Sequence, residues 1–154
     1  MPVVAEIPGR GRLELEHVLF DVNGTLTNRG RLIDGVAERL AAVAASLGVL
    51  LVSADTFGTL EQVAGELGVP ARSAGSGEEK LAILRELGAG RSAVVGNGSN
   101  DAAVLEAAAL GIAVVGPEGA SAGALRAADV VCASIHDALE LLVDVRALRA
   151  TLRA

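Results

Sequence analysis

Short apolar runs alternate with longer helical stretches along this chain. Runs such as 49–53 (Val-Leu-Leu-Val-Ser) are continuous, as expected of strands that a parallel sheet buries on both faces. Several of the helical stretches end at a glycine, for example Gly68 and Gly88. Strands are predicted at 12–16, 17–21, 49–53, 69–72, 92–95, 112–115 and 129–132. Helices are predicted at about 34–47, 58–67, 77–87, 100–110 and 121–128, with one or two closing helices at 135–152. This alternation predicts a three-layer α/β fold with a mainly parallel central sheet.

One domain spanning residues 1–154 is expected, because no repeat, charge block or long linker divides the sequence. Residues 1–11 end in Pro-Gly-Arg-Gly and are interpreted as a turn-rich lead-in. The alternation of polar and apolar residues at 12–16 predicts an edge strand or the arm of a hairpin. Ser76 and Glu79 form a capping-box pattern that should open the helix at 77–87.

Composition argues against several classes of function. Phe20 and Phe57 are the only aromatic residues and the net charge is −6, so stacking platforms for bases are lacking and phosphate backbones are repelled. The longest apolar run, 40–52, has about 13 residues, whereas a spanning helix needs about 20. We therefore expect no nucleic-acid partner, no membrane association and no signal peptide. The single cysteine, Cys132, fits a reducing cytosol, and we expect a cytoplasmic protein.

The most informative segment is 20–27, Phe-Asp-Val-Asn-Gly-Thr-Leu-Thr. Asp21 ends a predicted buried strand and is followed at once by the turn residues Gly24 and Thr25. Open α/β sheets bind ligands at that end of the strand, where backbone amides of the turn can point at whatever the carboxylate attacks or binds. The segment resembles the nucleophile motif DxDGTLT of the haloacid dehalogenase-like (HAD) phosphohydrolase superfamily, with Asn23 in place of the second aspartate.

Three further segments follow in the order of the HAD motifs. Ser53 ends the next buried strand, and Lys80 lies in the first turn of a predicted helix. Asn97 and Asp101 lie in the sequence Gly-Asn-Gly-Ser-Asn-Asp, which follows the strand at 92–95. Lys80 is also the only lysine among thirteen Lys and Arg residues, which suggests a place where a compact ammonium group is wanted.

This resemblance implies a phosphoaspartyl mechanism assisted by Mg²⁺. Such a site needs a carboxylate nucleophile, a hydroxyl and a cation around the phosphoryl group, and oxygen ligands for a hard metal ion. The implied catalytic residues are Asp21 (the nucleophile), Asn23, Ser53 and Lys80. The implied phosphate-binding residues are Gly24, Thr25, Ser53, Ala54 and Lys80; the implied metal ligands are Asp21, the Asn23 carbonyl, Asn97 and Asp101, with Asn100 and Asp55 in supporting positions.

Two replacements of Asp by Asn distinguish this chain from HAD phosphatases. At position 23 the family has an acid that protonates the leaving group, and Asn23 cannot exchange a proton, so hydrolysis should be slower by roughly 10²–10⁴-fold. At position 97 the loss of a carboxylate leaves only Asp21 and Asp101 as formal negative charges, which should weaken divalent-cation binding. With Asn23, Asn97 and the segment 116–120, the chain resembles the small soluble proteins that are similar to the P domain of P-type ATPases.

The spacing of the motifs leaves no room for a cap domain, because Asp21 to Ser53 and Ser53 to Lys80 each hold only a strand–helix step. An uncapped site would accept a large phosphorylated substrate. Alternatively, a neighbouring subunit of a homo-oligomer would close it, as in the tetrameric capless sugar-acid phosphatases that it resembles.

Other hypotheses stay open on sequence alone. A non-catalytic binding or regulatory module that keeps the fold would account for Asn23 and Asn97. A dinucleotide-binding domain would account for the glycine-rich loop, but Asp101 stands where the third glycine belongs and would repel a pyrophosphate. Each residue also has a structural interpretation: Ser53 can simply end a strand, and Lys80 can be a solvated helix residue.

Overall fold

The computed structural model describes all 154 residues. Its strands are β1 (Val3–Ile7), β2 (Gly11–Leu15), β3 (His17–Phe20), β4 (Thr27–Asn28), β5 (Arg31–Leu32), β6 (Gly48–Ser53), β7 (Ala71–Ser73), β8 (Ser92–Gly96), β9 (Leu110–Val114) and β10 (Val130–Cys132). Its α-helices are α1 (Val36–Ala44), α2 (Leu60–Leu67), α3 (Gly77–Leu87), α4 (Ala102–Ala107), α5 (Ala122–Ala127), α6 (Ile135–Val143) and α7 (Val145–Leu152). No helix is both long and apolar enough to cross a membrane.

Six strands form the central sheet in the order β10-β9-β8-β3-β6-β7, and every neighbouring pair is parallel. Strand β3 lies in the middle, with Phe20 opposite Leu51 of β6 on one side and Val95 of β8 on the other. The carboxyl ends of β3, β6 and β8 therefore meet at one edge of the sheet. The predicted α/β fold is confirmed.

Both faces of this sheet are covered, which explains the continuous apolar strands. Successive residues of β3 alternate between the two faces: Val18 and Phe20 join the larger core cluster, and Leu19 joins the smaller one. All three side chains are fully buried. The larger cluster contains residues from α1, α6 and α7, and the smaller one contains residues from α3, α4 and α5.

The amino-terminal segment differs from its prediction. Residues 3–7 form β1, which pairs antiparallel with β2 from Val3 opposite Leu15 to Ile7 opposite Gly11. The lead-in prediction is wrong for these residues, whereas the predicted hairpin arm at 12–16 is confirmed. The reason is non-local. Strand β1 is stabilised by its pairing with β2 and by apolar side chains that join the larger core cluster, which also contains Leu148 of α7.

Two local predictions at helix ends have different outcomes. Helix α3 has the predicted bounds and Ser76 caps it, since the backbone N–H of Glu79 donates to Ser76 Oγ (3.2 Å). The reciprocal bond of a capping box is displaced by one residue, because the Glu79 carboxylate accepts from the N–H of Gly75 (3.0 Å) and not from that of Ser76. The helix expected at 100–110 is shorter, because residues 99–101 form a 3₁₀ turn and β9 already begins at Leu110.

A small hairpin follows the nucleophile segment directly. Strands β4 and β5 pair antiparallel, and the turn between them has Arg29 at φ 49° and Gly30 at φ 87°. Two consecutive left-handed residues are typical of the type I′ turn that matches strand twist. Neither of these short strands is among those predicted from the sequence.

Close approach of α4 to β9 makes Gly111 sensitive to substitution, because an added Cβ would collide with the backbone carbonyl oxygen of Leu105. We expect Gly111→Ala to lower the free energy of unfolding by about 1–3 kcal/mol in urea denaturation. The matched control is Gly65→Ala in α2, where nothing lies within 4 Å of the new Cβ; it should raise the free energy of unfolding by about 0.5–1 kcal/mol. Equal effects of the two substitutions would contradict this packing.

Candidate active site

The candidate site lies where the central strands end. Asp21 follows β3 directly, and its backbone N–H donates to the carbonyl of Val95 on β8 (2.9 Å). Ser53 is the last residue of β6, on the other side of β3. The loop that begins with Asn97 follows β8. These neighbours in space were predicted from the order of the segments, because parallel strands end at the same edge.

A buried ammonium group joins two carboxylates at this edge. Lys80 Nζ donates to Asp21 Oδ1 at 2.9 Å and to Asp101 Oδ1 at 2.7 Å. Lys80 and Asp101 are fully buried, and Asp21 is 7% exposed. With all three groups ionised, the cluster holds two negative charges and one positive charge, so it carries one uncompensated negative charge.

Burial and the charges of the cluster shift the pKa values of Asp21 and Lys80. Burial, and then repulsion from Asp101, raise the pKa of Asp21 to about 7, against the opposing effect of Lys80. Burial alone would lower the pKa of Lys80, but the attraction of Asp21 and Asp101 outweighs it, so the pKa lies above its ordinary value. Lys80 therefore stays charged, and Asp21 is the member that gains or loses a proton near neutral pH.

Asp101 lies behind Lys80 and away from solvent. Its Oδ1 accepts from Lys80, and its Oδ2 accepts from the backbone N–H groups of Asn97 (3.2 Å) and Gly98 (2.9 Å). Gly96 leaves room for this carboxylate, since a Cβ there would stand 2.6 Å from Asp101 Oδ2. With both oxygens already bonded, this placement favours a role in holding Lys80 over direct contact with a metal.

Asn97 is bonded at both ends of its side-chain amide. Its Oδ1 accepts from Thr25 Oγ1 at 3.1 Å, and its Nδ2 donates to the carbonyl of Gly119 at 3.1 Å. The Thr25 hydroxyl also lies 3.3 Å from Asp21 Oδ2, and its single proton can go to only one of the two acceptors at a time. An aspartate at position 97 could not donate to Gly119, so the asparagine connects two loops of the site.

An open cleft of about 190 Å³ lies above these groups. It is lined by Asp21, Asn23, Ala54, Thr56, Asn97, Gly98 and Asn100. Asn23 makes no side-chain hydrogen bond to the protein. Gly24, at φ 76°, packs closely against two other loops, since a side chain there would meet Asn97 Nδ2 and Glu118 Cβ.

The loop after β6 is organised by its own side chains. Ser53 Oγ accepts from the N–H of Asp55 (2.8 Å), and Asp55 Oδ1 accepts from the N–H of Leu60 (3.0 Å) at the start of α2. Ser53 and Asp55, both predicted site residues, therefore shape the loop. Their neighbours Ala54 and Thr56 line the cleft. Thr56 is not among the site residues predicted from the sequence, in which its position after a strand end favours a loop residue.

The chain offers few ligands for a metal. No group of three or more His, Cys, Asp or Glu side chains is arranged to hold a metal ion. The side-chain oxygens that line the cleft come from Asp21 and from the uncharged residues Asn23, Thr56, Asn97 and Asn100.

The pKa of Asp21 makes the stability of the fold depend on pH. Between the ordinary carboxyl value of 3.8 and about 7, the folded chain keeps a proton that the unfolded chain has released, so the free energy of unfolding falls as the pH rises through this window. Asp21→Asn should remove this slope and exceed the wild type at pH 8 by up to about 4 kcal/mol. The measurement is urea unfolding in chelator-containing buffer from pH 4 to 8.

The control for this experiment is Asp34→Asn, which removes an exposed carboxylate that makes no side-chain hydrogen bond. It should keep the wild-type slope. A wild-type protein that becomes more stable from pH 4 to 7 would contradict the charge balance described for the cluster.

Comparison of sequences finds one curated relative. A scan against models of known protein families finds no match. Over 78 residues the chain is 42% identical to an uncharacterized protein of Methanocaldococcus jannaschii, a match that covers 48% of this chain and 84% of the archaeal protein.

Solved structures share the fold over most of the chain. A Streptomyces avermitilis protein assigned to the HAD family of hydrolases has a TM-score of 0.68 at 22% identity, covering 87% of each chain. The 3-deoxy-D-manno-octulosonate 8-phosphate phosphatase of Moraxella catarrhalis, in complex with magnesium ion, phosphate ion and KDO, has a TM-score of 0.69 at 17% identity, covering 90% of this chain and 94% of that one.

The catalytic domain of the CPx-ATPase CopB-B has a TM-score of 0.64 at 22% identity, covering 74% of this chain and 46% of that one. At these identities the likeness establishes the fold, and it confirms the predicted HAD resemblance at that level. The chain therefore has the fold of the HAD superfamily, and it belongs to the same sequence family as the uncharacterized protein of M. jannaschii.

Proposed function

We propose that this chain is a slow, Mg²⁺-dependent phosphotransferase or phosphohydrolase that forms a phosphoaspartyl intermediate on Asp21. The observation that carries the proposal is the contact between Lys80 and Asp21 at the end of the central strand. Lys80 holds Asp21 Oδ1, whereas Oδ2 has only a 3.3 Å contact with the Thr25 hydroxyl beside an open cleft. This arrangement orients one carboxylate oxygen for attack and leaves it accessible. The fold shared with phosphatases supports the same chemistry.

In the first step, Asp21 Oδ2 attacks the phosphorus atom of the donor. A bond forms between Oδ2 and phosphorus, the bond from phosphorus to the leaving oxygen breaks, and its electron pair goes to that oxygen. The ammonium of Lys80 is placed to offset negative charge on the nucleophile and on the phosphoryl group. Water then cleaves the acyl phosphate, which restores Asp21 and releases inorganic phosphate.

Asn23 lines the cleft where the family has its general acid and base, and an amide cannot supply or remove a proton near neutral pH. Two consequences follow from this. Donors whose leaving group departs without protonation, such as acyl and nitrophenyl phosphates, should react best. The phosphoaspartyl form should accumulate, because activation of water for the second step is weak.

A divalent cation fits the charge of this site. Burial, and then repulsion from Asp101, raise the pKa of Asp21, and a cation next to Asp21 would favour its ionised form. The residues that would hold Mg²⁺ are Asp21, Asn23 through its carbonyl, and Asn97, with waters completing the shell. When bound, the ion would neutralise charge that develops on the phosphoryl oxygens.

The second candidate is a non-catalytic regulatory module with the same fold. The observation in its favour is Asn97, whose amide is bonded to Thr25 and Gly119 and therefore serves the structure of the loops. Such a module would bind a phosphate mimic such as beryllium fluoride at Asp21 without ever accepting a phosphoryl group from a donor.

Covalent labelling and turnover separate the two candidates. With acetyl phosphate and Mg²⁺, intact-protein mass spectrometry should show the gain of one phosphoryl group, and Asp21→Ala should abolish both this gain and phosphate release. Asn23→Asp should raise phosphate release by roughly 10²-fold or more and lower the steady-state amount of phosphoprotein, because it restores an acid and base.

The matched control is Asn28→Asp, the same chemical change on β4, at an exposed position that does not line the cleft. It should leave both measurements unchanged. Phosphate release that survives Asp21→Ala, or no labelling of the wild type at all, would count against the enzymatic proposal.

A further inference from the structure

We propose that the phosphoryl donor of this site has a leaving group that is neutral or cationic, without a second anionic group near the phosphate. This inference rests on the proposed function and adds the class of substrate to it. It is carried by the charges of the side chains that surround the cleft.

The cleft lining offers no cation to a substrate. Apart from Asp21, its members are small or carry amide and hydroxyl groups: Asn23, Ala54, Thr56, Asn97, Gly98 and Asn100. Carboxylates and phosphates are bound strongly by Arg or Lys through charge-assisted hydrogen bonds. Mg²⁺ and Lys80 would both serve the phosphoryl group, so a second anion on the substrate would find only uncharged side chains in the rest of the cleft lining.

The one lysine is already engaged. Lys80 is fully buried, bonds to both Asp21 and Asp101, and is not among the residues that line the cleft. It can serve the phosphoryl group on Asp21, but not a distant group of the substrate. Arg31 lines a different depression with Asp34 and His136, which shares no residue with the cleft.

Two charged residues lie beside this site, Arg29 and Glu118. The Arg29 guanidinium donates to Asn28 Oδ1 (3.0 Å), and neither Arg29 nor Asn28 lines the cleft. Glu118 lies against the nucleophile loop, with its Cβ 3.1 Å from the position that a Cβ on Gly24 would occupy. Its carboxylate accepts from the backbone N–H of Arg29 (3.2 Å) and forms no ion pair, so its charge is not neutralised by a neighbour. Glu118 therefore adds a negative charge beside Gly24, which directly follows Asn23 of the cleft lining.

Together these charges disfavour substrates such as sugar-acid phosphates and nucleotides. The M. catarrhalis phosphatase was solved with KDO, a sugar acid, so the expected substrate class of this chain differs from the ligand of that structural neighbour. Neutral polyol phosphates, phosphorylated amines and simple acyl phosphates fit the charges better. A single like-charge pair about 8 Å apart changes an equilibrium by roughly twofold to thirtyfold, depending on the effective dielectric constant.

Two activated esters that differ by one carboxylate test this inference. We would compare kcat/KM for 4-nitrophenyl phosphate and 3-carboxy-4-nitrophenyl phosphate with Mg²⁺ at low ionic strength, because neither leaving group needs an acid. The uncarboxylated ester should be preferred by at least about twofold. The preference should shrink when salt shortens the Debye length to about 3 Å at 1 M.

Glu118→Gln is the decisive variant, because its amide oxygen can still accept from Arg29 while the charge is lost. It should bring the ratio of the two kcat/KM values closer to one. The matched control, Glu106→Gln on α4, removes an exposed carboxylate that makes no hydrogen bond and should leave the ratio unchanged.

The outcomes separate this inference from the function on which it rests. Equal kcat/KM values, or a preference for the carboxylated ester, would overturn the substrate class while Asp21-dependent turnover still supports the enzyme. A ratio that does not respond to Glu118→Gln or to salt would also overturn it. Absence of Asp21-dependent turnover with either ester would overturn the proposed function and this inference together.

Discussion

The structure depends most on one ammonium group that is shared by two carboxylates inside the protein. Burying Lys80, Asp21 and Asp101 without one another would be costly, and the fold makes it tolerable by bringing three separate segments to a single point. The pairing is incomplete by one charge. That imbalance is the source of the reactivity we propose, because the site is left better suited to a cation and a phosphoryl group than to water alone.

The two asparagines that stand where HAD phosphatases have aspartates are not equivalent. Asn97 is bonded at both ends of its amide, and a carboxylate there would face the carbonyl of Gly119 without a proton to share. Asn23 makes no side-chain hydrogen bond to the protein and lines the cleft. The replacement at 97 is thus built into the packing of the loops, whereas the replacement at 23 changes only the chemistry offered to a bound ligand.

Much of this could be predicted from sequence, because the relevant information was local. The apolar run at 49–53 and the Ser76 cap each specify an element without distant partners. Parallel strands that end at one edge then bring Asp21 close to Ser53 and Asn97, and α3, which follows β7 at the same edge, carries Lys80. The features that could not be predicted depend on how deeply a side chain is buried and on pairing between segments that are apart in the sequence. Residues 3–7 became a strand through a partner beyond the turn, and the place of Asp101 behind Lys80 depends on which of its oxygens the backbone occupies.

Short segments, rather than a cap domain, form the rim of the cleft. The β4–β5 turn packs on the loop after β6, where Phe57 lies 3.3 Å from the position of a Cβ on Gly30, and Glu118 bonds to Arg29 from the opposite loop. A rim of this kind excludes little volume, so it cannot select a substrate by enclosing it. For the function that we propose, selection then comes from charge and from the leaving group, the two properties that we assign to Glu118 and Asn23.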